Sequence, residues 1–237
     1  MRLPIIFSII AGLALSGVLY LTPRELPAQT DAAPEQTTVP FNLFALGGFG
    51  QFRVFNFDQS YTDRFGIPVP QPFRLALPIN DALQLISDGA PDNGGFAKFT
   101  WAAGPEDDRR FVENMTVYAA DWAQTPNQDV RLDAILAFIR DNVFAQATVA
   151  QGGGELVGWG RIEVNGLVAV QAMGTYTDPT WGPMLLRIVA YPNPGQGPSY
   201  FVTNNISLDM VPIVHVDQMR SSLGGQAVGS FAYLASQ

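Results

Sequence analysis

Asn165-Gly166 limits the fold of this chain more than any other pair of residues. Both central residues of a tight type I′ turn need positive φ, and Asn-Gly supplies it at little steric cost. Arg161–Val164 before it and Leu167–Met173 after it are rich in strand formers, so the turn joins two antiparallel strands. Met184–Tyr191 and Tyr200–Ile206 predict a second strand pair around the Pro/Gly loop Pro192–Pro198. Upstream, Phe96–Ala102 and Phe111–Tyr118 flank the acidic-basic turn Gly104–Arg110. In the second of these, Val112, Asn114, Thr116 and Tyr118 alternate with Phe111, Glu113, Met115 and Val117. Period-two patterning suits an antiparallel pair with a buried face.

Helices punctuate this order. Thr125-Pro126-Asn127-Gln128 has the form of a capping box, with Thr125 as N-cap and Pro126 opening the helix. Leu132, Ile135, Leu136, Ile139 and Val143 follow at helical spacing, with Arg131, Asp133, Arg140 and Asp141 off that stripe. Gly152-Gly153-Gly154 ends the region. Phe73–Leu77 predicts a short Pro-flanked strand. Asn80 or Asp81 is placed to cap a short helix through Ser87, and Asp217 to cap a C-terminal helix through Met219 and Leu223. Nothing alternates as βαβ and no repeat appears. The order implies an α+β fold: a mostly antiparallel sheet with helices packed against it.

An N-terminal hydrophobic helix and a flexible tether are expected before that domain. Leu3–Leu21 is uncharged for nineteen residues, just enough to span a bilayer as a helix. Ala14-Leu15-Ser16 also offers a small-x-small cleavage site, so residues 1–22 read as a signal peptide or a transmembrane anchor. Arg2 favours an N-in, C-out orientation and a periplasmic domain. Residues 23–40 are rich in Pro, Ala, Thr and Gln without apolar periodicity, as a flexible tether would be. A Phe-rich extension, 41–72, precedes the α+β domain, 73–237. Between Phe41 and Phe65 stand eight aromatics in twenty-five residues. Gln51–Phe57 has the aromatic content of a strand, whose rings either pack on the core or anchor a partner. Phe41, Phe44, Phe49, Phe52, Phe55 and Phe57 are the candidate interaction residues.

Composition excludes several functions. The net charge is −8, Lys98 is the sole lysine, and Arg109-Arg110 is offset by Asp107-Asp108, so no nucleic-acid surface is expected. No cysteine is present, which removes disulfides, thiolate metal sites and cysteine nucleophiles. His215 is the sole histidine and allows no multi-histidine metal site within one chain. His215 and Asp217 share a face if extended, and Ser230 is the serine considered with them, but no Gly-x-Ser-x-Gly elbow exists. Glu106, Asp107 and Asp108 read as a solvated turn rather than a calcium loop. Gly152-Gly153-Gly154 lacks the Lys-Ser/Thr of a phosphate-binding loop. Trp101, Trp122, Trp159 and Trp181 either line a cleft or pack at the core and rim. No cofactor is expected.

The strand ending at Trp101, the strand Asn114–Tyr118, the helix Leu132–Val143, the meander Gly160–Ile206 and the closing Val214–Phe231 segment together resemble the PsbP-like α/β-sandwich family. That is the fold of the extrinsic photosystem subunit and of many bacterial secreted proteins and lipoproteins. The resemblance covers about Phe73 to Leu234 and rests on element order. It departs from the lipoprotein members in having no lipobox cysteine, and residues 41–65 have no counterpart in the family. It implies a non-catalytic accessory or binding module. Three functions are therefore expected in order: a membrane-tethered interaction module with a protein partner, a soluble periplasmic carrier of a small apolar ligand, and a hydrolase built on Ser230 and His215 or on carboxylates.

Overall fold

The computed structural model describes residues 51–79, 83–92, 94–122, 124–195 and 197–234. Residues 1–22 and 23–40, with Phe41, Phe44 and Phe49, lie outside them. No helix among the described residues is long and apolar enough to cross a membrane.

The α+β architecture is present, as two antiparallel sheets with helices packed on them. β1 (Gln51–Phe57), β2 (Phe73–Ile79) and β10 (Ala232–Tyr233) form the small sheet, in the order β1-β2-β10. The large sheet holds β3 (Leu83–Asp88), β4 (Ala97–Ala103), β5 (Arg110–Ala120), β6 (Glu155–Val164), β7 (Leu167–Asp178), β8 (Gly182–Tyr191) and β9 (Ser199–Ser207). Its order is β3-β4-β5-β9-β8-β7-β6, antiparallel throughout. The helices are α1 (Gln59–Phe65), α2 (Gln128–Phe138), α3 (Phe144–Val149) and α4 (Leu223–Gly229).

The hairpin that dominates the sequence forms as expected: Asn165 has φ 49° and Gly166 φ 76°. Its strands extend well beyond the apolar runs that announced them. β1 pairs with β2 from Gln51↔Ile79 to Phe57↔Phe73, so this part of the Phe-rich segment is joined to the first strand of the expected domain.

Each face of the large sheet carries its own core. On one, α4 and the small sheet enclose Phe57, Phe73, Phe99, Met115, Val189, Tyr200 and Phe231. On the other, α2 and α3 enclose Tyr118, Ile135, Ile139, Phe144, Ile188 and Phe201. A π turn, Ile139–Val143, joins α2 to α3.

Three local expectations are corrected. Residues 83–88 form an edge strand rather than a helix, because Leu83 and Leu85 pair with Ala103 and Trp101 of β4. Six residues make too short a helix to hold by capping against that pairing. The N-cap of α2 is Asn127, not Thr125: its Oδ1 accepts from Asp129 N (3.0 Å) and Val130 N (3.2 Å), while the Thr125 hydroxyl donates to Asn127 O. Asn127→Ala is therefore expected to cost about 1 kcal/mol in urea unfolding, and Thr125→Ala distinctly less. An equal loss in both would restore Thr125 as the cap. Asp217 caps nothing. A 3-10 turn, Val216–Ser221, follows His215, and α4 is capped by Ser222, whose Oγ accepts from Gly225 N (3.0 Å). Gly225 belongs inside α4 because a Cβ there would lie 1.7 Å from Met219 O.

Arg131 also departs from expectation. It was placed off the apolar stripe, yet it is buried and ties α2 to the Pro/Gly loop through Asn193 O (2.8 Å) and Ser199 Oγ (3.3 Å).

Candidate functional site

The helix layer covers β6, β7 and β8, leaving part of that sheet face open. Register decides which side chains lie there. Thr100 pairs with Asn114 and Asn114 with Asn205, while Lys98 pairs with Thr116 and Thr116 with Thr203. Directly paired residues share a face, so two rows of hydroxyls and amides form the floor of a groove of about 370 Å³. Ile86, Phe111 and Trp181 stand at its rim.

The floor is held in place by its own hydrogen bonds. The Tyr176 hydroxyl donates to Asn205 Oδ1 (3.0 Å), and Asn205 Nδ2 donates to Asn114 Oδ1 (3.0 Å). Burial, then the nearby Asp178, pushes the Tyr176 pKa up, so the phenol stays a neutral donor. Asp178 Oδ1 accepts from Thr180 N (2.8 Å) and Trp181 N (3.0 Å), which fixes the loop carrying Trp181. The Trp181 ring lies 5.3 Å from that of Phe111 and remains 42% exposed. The cations lining the groove are engaged: Lys98 pairs with Asp92 (2.9 Å), and Arg109 Nε donates to Gln84 Oε1 (2.7 Å). Hydroxyls, amides and an aromatic rim equip the groove to bind a chain or small molecule.

The residues singled out from sequence are dispersed. Of the six phenylalanines, three are described. Phe57 is 1% exposed and stacks on Phe73 at 4.4 Å. Phe55 is half-buried with its edge toward Phe99 (5.1 Å). Phe52 is 48% exposed. The Ser230 hydroxyl donates to Ala227 O (2.6 Å) and accepts from Ala76 N (2.7 Å), linking the end of α4 to β2. His215 is exposed and its backbone N–H donates to Gln218 Oε1 (3.0 Å); the structure gives it no hydrogen bond to Ser230. Glu106–Asp108 form an exposed 3-10 turn. Trp101 is in the core, Trp122 lies beside Phe201, Trp159 sits under Arg140, and Trp181 reaches the groove.

Sequence reasoning passed over Glu113. This carboxylate is fully buried. Its Oε1 accepts from Asn204 Nδ2 (2.9 Å), Ser222 Oγ (3.0 Å) and Gly224 N (2.8 Å), and its Oε2 from Leu223 N (3.0 Å). Burial, opposed by these four donors, pushes its pKa up to about 7. The signal was available: Glu113 shares its strand face with Met115 and Val117, so an acid sits on an apolar face.

Family models and curated proteins yield no match to this chain. Among solved structures it is similar to cyanobacterial PsbP (CyanoP) from Synechocystis, a protein of the family that the element order resembles. Identity is 13%, the match covers 79% of this chain and 96% of that one, and the TM-score is 0.40. It is also similar to the Ran-binding protein Mog1p of Saccharomyces cerevisiae, at 7% identity over 77% of this chain and 96% of that one, with a TM-score of 0.37.

Proposed function

We propose that the chain is a non-enzymatic interaction module, an accessory subunit of an envelope or membrane complex, whose groove receives an extended, uncharged polar segment of a protein partner. The observation that carries this reading is the groove: a fixed floor of amides and hydroxyls beside an exposed, positioned tryptophan. Interfaces concentrate their energy in such aromatic anchors while polar groups set register. Residues 1–22 would hold the domain at the periplasmic face of the membrane. Residues 23–40 would let it reach at most about 60 Å from the bilayer.

The carrier reading has a cavity of its own, between α2 and the sheet, lined by Trp122, Ile135, Phe138 and Phe201. It is apolar but holds about 180 Å³. Pockets for drug-sized ligands run from about 300 to 1,000 Å³. The groove reaches that range but has a polar floor, so neither of these two sites suits an apolar cargo, and the groove itself favours the interaction module.

Photo-crosslinking on native membranes, with the crosslinker at Phe111, tests the proposal. Crosslinks to one membrane-complex protein are expected. Trp181→Ala should weaken capture of that protein about tenfold with thermal stability unchanged. Solubilised membranes that return only monomer, with no crosslink from the groove, would overturn it.

A further inference from the structure

The opposite face of the large sheet holds a second concavity, of about 620 Å³, bounded by β1, the β6–β7 hairpin, the 3-10 turn and α4. Arg187 of β8 lies at its floor and is only 6% exposed. A guanidinium keeps its charge when buried, and a buried charge without a counterion is costly. The partner of Arg187 is nevertheless neutral: Nε (3.1 Å) and Nη2 (2.9 Å) both donate to Gln171 Oε1. No carboxylate among the described residues forms an ion pair with it. Glu113 acts on it only at longer range, and the oxygens of Glu113 are occupied by four other donors.

Two donors remain. Among the described residues, Arg187 Nη1 and Gln171 Nε2 have no protein partner. Neither is among the fully buried unpartnered atoms of the described residues, which are Arg131 Nε, Gln151 Oε1 and Asn204 Oδ1. Both residues line the cavity. Arg220 lines it as well; burial first, and then the Arg220 charge, lower the Arg187 pKa, and Arg220 forms no ion pair among the described residues. Two cations that repel each other across a cavity are stabilised by an anion between them. Glu163 and Asp217 also line it; like Arg220 they are exposed, where solvent screens them, whereas the Arg187 guanidinium is buried. Phe52 and Val216, 48% and 52% exposed, add apolar walls.

We propose that this cavity binds a carboxylate carrying an apolar body, its head held by Arg187 Nη1 and Gln171 Nε2 with Arg220 beside it, and its body against Phe52 and Val216. The site is separate from the groove and stands whether or not the groove docks a partner. A fatty acid and the C-terminus of a peptide ending in an apolar residue share this chemistry.

Titration of the purified full chain, followed by calorimetry and by the Arg187 Nε–H resonance, tests it with octanoate, N-acetyl-leucine, N-acetyl-leucine amide and inorganic phosphate. Saturable binding of a carboxylate, at least tenfold tighter than the amide or phosphate, is expected. Tighter octanoate points to lipid, and tighter N-acetyl-leucine to peptide. Arg220→Gln, at an exposed position, should weaken binding about tenfold without moving Tm. Arg187→Met should abolish it while keeping the fold. Should that variant fail to fold, the Arg220→Gln titration decides. No saturable response, equal binding of acid and amide, or preference for phosphate would overturn the proposal.

Discussion

Replacing Glu113 with alanine is expected to destabilise the domain by about 3–5 kcal/mol, because four donors lose their acceptor at once in the interior. Two of them, Leu223 N and Gly224 N, belong to the first turn of α4, and a third, Ser222 Oγ, caps it. Loosening α4 frees one wall of the core against β2. Glu113→Gln tests the charge separately. Its oxygen can keep the three bonds to Oε1, but its amide then faces Leu223 N, a donor against a donor, at a cost of about 1–2 kcal/mol.

Stability should also depend on pH through this group. Its pKa is about 7 folded, against an ordinary 4.5. Below about 4.5 the carboxyl is protonated in both states, and its contribution is fully present. As pH rises from there to about 7 the unfolded chain ionises first, the folded state binds more protons, and stability falls, by about 3 kcal/mol at most. Above that range both states are ionised and the contribution is flat. Urea unfolding from pH 4 to 8 should show this slope in the native chain and lose it in Glu113→Gln. Parallel profiles would mean that Glu113 does not titrate in the window.

Phe57→Ala is the second large effect, at about 3–5 kcal/mol. The ring packs against Phe73, Tyr61, Phe96 and Phe99, and removing it leaves a cavity where both sheets meet. Tyr61 would lose its neighbour too, although its hydroxyl is anchored to Phe96 O and Gly89 O. Phe52→Ala, on the same strand but exposed, should change stability by no more than about 0.5 kcal/mol. Comparable losses at the two positions would contradict the division of this strand into packed and free rings.

These residues also show how far the sequence could be read. Strands were legible wherever a turn residue or period-two alternation marked them: Asn165-Gly166, the β4–β5 pair and the β8–β9 pair all formed where their patterns lay. The α2 stripe was legible for the same reason, apart from Arg131, whose partners Asn193 and Ser199 lie more than sixty residues away. β3 was misread because its strand character comes from pairing with β4, which no local cap signal reveals. The groove was hidden for a related reason. Thr100, Asn114, Thr116, Thr203 and Asn205 are ordinary surface residues until the register of three strands sets them side by side. Arg187 and Gln171 lie sixteen positions apart on neighbouring strands, and only pairing across the sheet brings them together.

The π turn between α2 and α3 sets which way the helix after it faces. Phe144 N bonds to Ile139 O, five residues back, so the turn holds one residue more than an α-helix would. Deleting one residue from Ile139 to Val143 would let a regular helix form with Phe144 still above Ile139, whereas converting the turn to α geometry at unchanged length would rotate everything after it by about 100°. Phe144 would then swing away from β7, where its ring fills the space that a side chain at Gly174 would need, 2.4 Å from where a Cβ would stand. The turn is thus a spacer that keeps the Phe144 ring over Gly174, where the Glu155 carbonyl also stands 2.4 Å from the Cβ position and holds the place to glycine.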